Sequence, residues 1–170
     1  MKKLLKIVEF NKASAGMRFL NLIIDRTVVS IFFFLFGFLG VFIDNILGID
    51  FFYSTVSKLS QMDKLMDILI TSSIYFLYTF LMEYFTKGRT IGKYITGTRV
   101  IGTDGQNPTF EEYLIRNISR LVPFDAFSFL GGGNGWHDSW SDTRVINIKN
   151  YEAEKQAKDD INSIGTKELV

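Results

Sequence analysis

The sequence predicts an all-α membrane protein, built from a two-helix transmembrane hairpin, an interfacial or re-entrant third helix and a short cytoplasmic β ribbon. Apolar residues make up 47% of the chain, with 17 Phe, and they are bunched into long runs instead of recurring at amphipathic spacing. Two runs are long enough to cross the hydrocarbon layer of a bilayer. The letters TRVI occur twice, at 98–101 and 143–146, in β-prone stretches on either side of a predicted helix. Two such stretches predict a paired ribbon.

The first predicted helix covers residues 17–43 and combines an apolar half with a polar one. Its second half, from Thr27 to Ile43, contains no charged residue. Its first half contains Arg18, Asn21 and Asp25, whose spacing of three and four places them in one stripe along the helix. A charge at bilayer depth costs at least about 2.5–3.5 kcal/mol, so these side chains are expected to face protein or water.

The second predicted helix covers residues 60–85, after a loop that begins at Asp44. Ser60 and Asp63 resemble an N-cap pair at its start. Its apolar part contains serine, threonine and tyrosine, which are typical of a face that packs on another membrane helix. Glu83 lies at its end, level with Arg18 of the first helix, and we expect these two residues to pair.

The charges that flank the two helices predict the orientation. Basic residues precede the first helix and follow the second, at Lys2, Lys3, Lys6, Lys12, Lys87, Arg89, Lys93 and Arg99, and the intervening loop contains no arginine. By the positive-inside rule, both termini are cytoplasmic. We therefore expect a multi-pass protein of the cell (inner) membrane, with the lipid bilayer as its first partner.

The third predicted helix covers residues 109–122. Thr109 and Glu112 form a capping-box pattern at its start, Arg116 and Arg120 lie on its polar side, and Pro123 is expected to end it. It is too polar for an ordinary membrane span, which indicates an interfacial or re-entrant helix. Residues 1–150 therefore read as one membrane domain, and the mixed-charge segment 151–170 is predicted to be a disordered cytoplasmic tail.

Several function classes find no support in the sequence. The chain has no cysteine and a single histidine, His137, so we expect no metal site. The motif GxSxG is absent, and the glycine run GGGNG is followed by no Lys-Ser/Thr pair. The net charge of +1 and the lack of an aromatic-basic pattern indicate no nucleic-acid partner. We expect no enzyme and no cofactor, and we interpret the His137-Asp138 pair as structural.

The order of these features resembles the RDD family of small bacterial membrane proteins, named for one arginine and two aspartates. Within MRFLNLIID, Arg18 matches the arginine and Asp25 the first aspartate. The likeness continues through TIGKYITGTRVIGTDG and LIRNISRLVPFD, and ends at GWHDSWSDTRVI. Asp138 matches the second aspartate, with Asp142 as the alternative. The resemblance covers Ala15 to Val145, and GGGNG stands where family members usually have basic residues. It implies a role in transport, cation/proton antiport included.

Asp25 and Arg18 are the strongest candidates for site residues. Asp25 is interpreted either as a proton- or cation-binding carboxylate or as part of a structural ion pair with Arg18, Arg116 or Arg120. Arg18 is interpreted as an interfacial anchor, as the partner of Asp25, or as a ligand of lipid phosphate, since a guanidinium binds phosphate with two parallel hydrogen bonds.

Two functions remain open from the sequence. The first is a small transporter, or a transporter subunit, for a cation or another small solute. The second is a membrane scaffold or assembly factor that binds a partner protein or an anionic lipid. Two or three helices cannot enclose a pathway alone, so we expect a homo-oligomer or a membrane partner protein.

Overall fold

The computed structural model describes residues 2–122, 125–128 and 134–167, so Pro123 and the first three glycines of GGGNG lie outside the described residues. The described chain is mostly helical. Its elements in order are α1 (Lys6–Phe10), α2 (Ala15–Leu47), α3 (Phe51–Ser60), α4 (Lys64–Phe85), α5 (Ile91–Thr96), β1 (Thr98–Gly102), α6 (Phe110–Ser119), α7 (Asp125–Ser128), α8 (Trp136–Trp140), β2 (Thr143–Asn147) and α9 (Ile148–Lys167).

Helices α2 and α4 are long and apolar enough to cross a membrane. Only 11% and 6% of their most apolar stretches are buried inside the protein, so these side chains face outward, unlike those of the core helix of a soluble protein. At 1.5 Å per residue, the 33 residues of α2 extend for about 50 Å, whereas the hydrocarbon layer is about 30 Å thick. The first turns of α2 therefore extend beyond the hydrocarbon and are available to pack on the rest of the chain.

The prediction of a loop between the two long helices is wrong, because most of this segment is helical. Helix α2 continues to Leu47, and α3 packs back against it. A Cβ atom added at Gly40 would lie 2.5 Å from Cδ1 of Phe52, so the glycine lets this aromatic ring approach the α2 backbone. Helix α4 begins at Lys64 with Asp63 as its N-cap residue. Ser60 is the last residue of α3 and caps nothing on α4.

The predicted ribbon is present: β1 and β2 pair antiparallel, with Val100 opposite Val145 and Ile101 opposite Arg144. Successive side chains of a strand point to opposite faces, and each face here packs on its own apolar cluster. Val100 and Val145 pack with Ala13 and Tyr113. Ile101 and Ile146 pack with Val8 of α1. We use the name cap for the ribbon together with α1, α5, α6, α8 and α9.

Two further elements complete the cap. Helix α6 begins with the predicted capping box, in which Thr109 and Glu112 each accept a hydrogen bond from the other's backbone N–H. The prediction of a disordered tail is wrong for its described part, because α9 is helical through Lys167. Its first turns are held by Tyr151, which packs on the apolar cluster of α1, and by Glu154, which accepts a hydrogen bond of 2.6 Å from Nδ2 of Asn11.

Candidate functional site

The polar stripe of α2 faces the cap, as the helical spacing predicts. Arg18, Asn21 and Asp25 are 7%, 5% and 2% exposed, while the neighbouring Phe19, Leu20 and Ile23 point outward. Each of the three buried side chains contacts a different part of the cap. The candidate site is therefore a junction between the first turns of α2 and the residues that follow α4.

Asp25 anchors α5 and is not part of the predicted ion pair. Its Oδ1 accepts hydrogen bonds from the Tyr78 hydroxyl at 3.0 Å and the Gly92 backbone N–H at 2.8 Å. Its Oδ2 accepts one from the Thr90 hydroxyl at 2.6 Å. Within the described residues, no basic nitrogen lies within ion-pair distance of this carboxylate, so the predicted pairing with an arginine is wrong.

The approach of α5 to α2 depends on a glycine. A Cβ atom added at Gly92 would lie 2.7 Å from the backbone oxygen of Asn21 and 3.1 Å from Cγ of Asp25. The side chain of Asn21 continues the same contact, because it donates to the Thr98 hydroxyl at 3.0 Å and accepts from the Thr96 hydroxyl at 2.6 Å. Asn21 and Asp25 thus bind the two ends of α5.

Asp138 on α8 is the acid that pairs with Arg18. Arg18 Nη1 lies 2.7 Å from Asp138 Oδ2, and Arg116 Nη1 donates to Asp138 Oδ1. Burial alone would raise the pKa of the Asp138 carboxyl, but Arg116, His137 and Arg18 outweigh it and hold this pKa well below its usual range. The alternative second aspartate, Asp142, lies in the turn before β2 and accepts from the backbone N–H of Lys2 at 3.2 Å.

Glu83 on α4 is surrounded by three cations. Its carboxylate lies 2.7 Å from Lys93 Nζ, 3.2 Å from Arg120 Nη2 and 3.5 Å from Arg116 Nε. The predicted pair between Glu83 and Arg18 is therefore wrong, although the two residues join one network, since Arg116 contacts both Glu83 and Asp138. Burial lowers the pKa of the Lys93 ammonium, against the opposing effect of Glu83.

His137 and Asp125 close the network beside Asp138. His137 Nδ1 lies 2.6 Å from Asp125 Oδ2, and its Nε2 lies 3.7 Å from Asp138 Oδ1. Burial lowers the pKa of the imidazole, and the carboxylates of Asp138 and Asp125 oppose that shift. Sequence reasoning treated His137 as structural and Lys93 as a flanking charge, and it did not single out Asp125. The one signal for Asp125 was its place at the end of LIRNISRLVPFD.

A cavity of about 70 Å³, which we call the polar cavity, lies inside this network. Its described lining includes five basic side chains, those of Arg18, Arg26, Lys93, Arg116 and Arg120. The carboxylates in and around it are those of Asp25, Glu83, Asp125 and Asp138. Five cations and four carboxylates leave an excess of one positive charge. A space of this size holds a few water molecules or one compact polar group.

Some buried donors at the polar cavity have no acceptor. Nε and Nη2 of Arg18 and Nη2 of Arg116 make no hydrogen bond within the described part of the chain. Arg18 is 7% exposed and Arg116 fully buried. A buried N–H group without an acceptor is costly, and water or a bound ion usually satisfies it. The arrangement therefore suits an acceptor-rich anionic group. Among the described residues, no group of three or more His, Asp or Glu side chains is placed to hold a metal ion.

Comparison with known proteins gives one match. The model of the RDD family matches residues 12–142, which is well over half of the chain. Neither the curated proteins nor the solved structures give a match. The matched range contains the α2 stripe, both apolar helices and the acids Glu83 and Asp138. The chain belongs to the RDD family and is a membrane protein with two apolar helices.

Proposed function

We propose that this chain is a subunit of a membrane transporter whose ligand carries a compact anionic group that binds in the polar cavity. The main support is the set of unpartnered N–H groups of Arg18 and Arg116 at this cavity. Guanidinium groups match carboxylate and phosphate oxygens with paired hydrogen bonds. The excess positive charge of the lining favours the same class of ligand.

The same contacts argue against Asp25 as a cation carrier. Both of its oxygens already accept hydrogen bonds, and one donor is the fixed backbone N–H of Gly92, so the carboxylate serves as the anchor of α5. The excess of one positive charge at the cavity disfavours Na⁺ or K⁺. An anion is therefore the better candidate than the cation that family resemblance suggests.

The site also fits the proposed topology. The polar cavity lies at the end of α2 that basic residues precede, and at the end of α4 that basic residues follow. By the positive-inside rule, this end and both termini are cytoplasmic, in the cell membrane. A single cysteine introduced at Lys3 and one at Asp50, which follows the end of α2, should react oppositely with an impermeant maleimide added to sealed cells, with only Asp50→Cys labelled.

Transport requires more than one copy or a partner, because α2 and α4 make few contacts with each other and cannot enclose a pathway. We therefore include a homo-oligomer or a membrane partner in the proposal. The scaffold alternative has one observation in its favour: α6 and α8 expose Ile115, Ile118, Trp136 and Trp140, a surface suited to a partner or to lipid.

Uptake into proteoliposomes tests the proposal. The purified chain is reconstituted and supplied with labelled inorganic phosphate, glycerol 3-phosphate, dodecyl phosphate, Na⁺ or K⁺. We expect uptake of at least one phosphate compound, reduced about tenfold in Arg26→Gln and unchanged in Arg99→Gln, a basic residue outside the cavity lining. Uptake of Na⁺ or K⁺ alone would contradict the proposal, and so would a purified chain that neither takes up nor binds any phosphate compound. A detergent-stable monomer without uptake would favour the scaffold.

A further inference from the structure

A second cavity continues from the polar cavity into the apolar part of the protein. It lies between α2 and α4, has a volume of about 450 Å³, and is lined mainly by Val29, Phe33, Leu59, Met62, Ile70 and Ile74. We call it the interhelical groove. Its size falls within the range of about 300–1,000 Å³ that is typical of small-molecule sites. Polar lining residues are few, with Ser30 and Thr71 at mid-length and Asp67 near the end of α4 that lies far from the cap.

The two cavities share Arg26 and Tyr75. The Arg26 guanidinium lies over the Tyr75 ring, with Cζ 4.6 Å from the ring centroid. Cation–π contact holds the guanidinium where the polar lining ends and the apolar lining begins. A ligand that occupied both cavities would therefore have its charge beside Arg18, Arg26 and Arg116, and its apolar part between the two helices.

We propose that the two cavities together bind one anionic phospholipid, with its phosphate in the polar cavity and an acyl chain in the interhelical groove. This inference rests on the proposed function, since it names the ligand class of the same site. Charge complementarity supports the headgroup, because the polar cavity has an excess of positive charge and unpartnered arginine N–H groups. Apolar lining supports the chain, because burial of each methylene from water contributes roughly 0.8 kcal/mol.

The groove is lined by α2 and α4, whose apolar stretches are largely unburied. A lipid can thus enter from the bilayer without first leaving it. A free phosphate ion, by contrast, would fill the polar cavity and leave the groove unused. Occupation of the groove therefore distinguishes a phospholipid from a free phosphate ion.

Native mass spectrometry of the full chain in detergent, with lipid added in measured amounts, tests this inference. The probes are phosphatidylglycerol, phosphatidylcholine with the same acyl chains, glycerol 3-phosphate and inorganic phosphate. We expect one phosphatidylglycerol per chain, bound about tenfold more tightly than phosphatidylcholine, and only partial displacement by the two soluble phosphates.

Matched variants test the headgroup and the chain separately. Arg26→Gln should weaken phosphatidylglycerol binding about tenfold, and Arg99→Gln should leave it unchanged. Ser30→Phe fills the groove and should weaken phosphatidylglycerol binding without changing the binding of inorganic phosphate. Ser73→Phe, the same change on α4 at a residue outside the groove lining, should have no effect. Neither Arg26 nor Ser30 belongs to the buried ion pairs, so both variants should fold.

The outcomes separate this inference from the proposed function. If Ser30→Phe has no effect and soluble phosphate displaces the lipid completely, the lipid inference is overturned while an anion-binding cavity stands. If neither lipid nor phosphate binds, or if Arg26→Gln changes nothing, both proposals fail.

Discussion

Arg18 of α2 and Asp138 of α8 form a buried ion pair, with Nη1 and Oδ2 2.7 Å apart, although they lie near opposite ends of the matched domain. Arg116 contacts the other oxygen of the same carboxylate. One carboxylate therefore pairs with two buried arginines and joins the first apolar helix to the last part of the cap.

Asp138→Asn should destabilise the protein strongly. The change leaves the guanidiniums of Arg18 and Arg116 without their shared counter-ion, and removing one partner of a buried pair costs about 3–5 kcal/mol. Thermal unfolding in detergent, followed by tryptophan fluorescence, measures the effect. Asp159→Asn, on the exposed part of α9, is the matched control and should change the free energy of unfolding by less than about 0.5 kcal/mol. Equal effects of the two changes would refute the role of Asp138.

Glu83 and Lys93 should be energetically coupled. In a double-mutant cycle, Glu83→Gln and Lys93→Met together should cost less than the sum of the two single changes, by about 0.5–3 kcal/mol, because Lys93 Nζ lies 2.7 Å from Glu83 Oε1 and both are buried. The control cycle combines Lys93→Met with Glu112→Gln, whose carboxylate pairs with Lys2 instead. Its effects should add within about 0.5 kcal/mol. A control cycle with the larger coupling would contradict the assignment.

Gly92→Ala should loosen the contact between α5 and α2. The added methyl group would lie 2.7 Å from the backbone oxygen of Asn21, and overpacking of this kind costs about 1–3 kcal/mol. Gly16→Ala is the natural control, because a Cβ atom there has no neighbour within 4 Å and alanine favours a helix by about 0.5–1 kcal/mol. The melting temperature should therefore fall for Gly92→Ala and stay level or rise for Gly16→Ala. The reverse order would show that α5 does not depend on this close approach.

Acid should destabilise the protein through His137. Its pKa in the fold is lowered below the ordinary value of 6.5 by burial, so the unfolded chain takes up a proton as the pH falls through 6.5 while the fold does not. Stability is therefore fully present above pH 6.5 and is lost as the pH falls from there toward the lower pKa of the fold. Asp125 and Asp138, whose pKa values are also lowered, add a second loss below pH 3.8.

The melting temperature of the wild type and of His137→Gln, measured between about pH 7.5 and about pH 5, checks the first of these losses. The variant should lose the decline that begins near pH 6.5, whatever its absolute stability. Identical pH profiles would show that His137 contributes none of it.

Local periodicity accounts for what could be predicted from the sequence. The stripe of Arg18, Asn21 and Asp25 follows from the 3.6-residue turn of a helix, and the pairing of the two TRVI segments follows from their β-prone letters. The capping box at Thr109 depends on two residues three positions apart. The stripe and the capping box are decided by neighbours in the chain, and the ribbon joins two segments that are each β-prone locally, so the sequence could predict all three features.

Partner choice could not be predicted, because it depends on where distant elements meet. Within the described residues Asp25 pairs with no arginine, because donors from α4 and the start of α5 bind its oxygens, and the approach of α5 depends on Gly92. Glu83 pairs with Lys93, which looks like one more flanking charge in the sequence. The sequence analysis does not predict α3, because its serines and lysine are typical of a loop. The helix packs on α2 through one aromatic ring, that of Phe52. The absent side chain at Gly40, within a run of bulky residues, was the available signal.

The pairing of Arg18 with Asp138 has a consequence for biosynthesis. A chain made from its N-terminus brings Arg18 out of the ribosome long before Asp138 is synthesised, so the first apolar helix inserts while Arg18, in its first turn, has no counter-ion yet. The charge of Arg18 is paired only after α8, near the end of the domain, has been synthesised. A chain that ends before α8 thus keeps Arg18 without its counter-ion at the membrane surface, and this uncompensated charge distinguishes it from the complete domain.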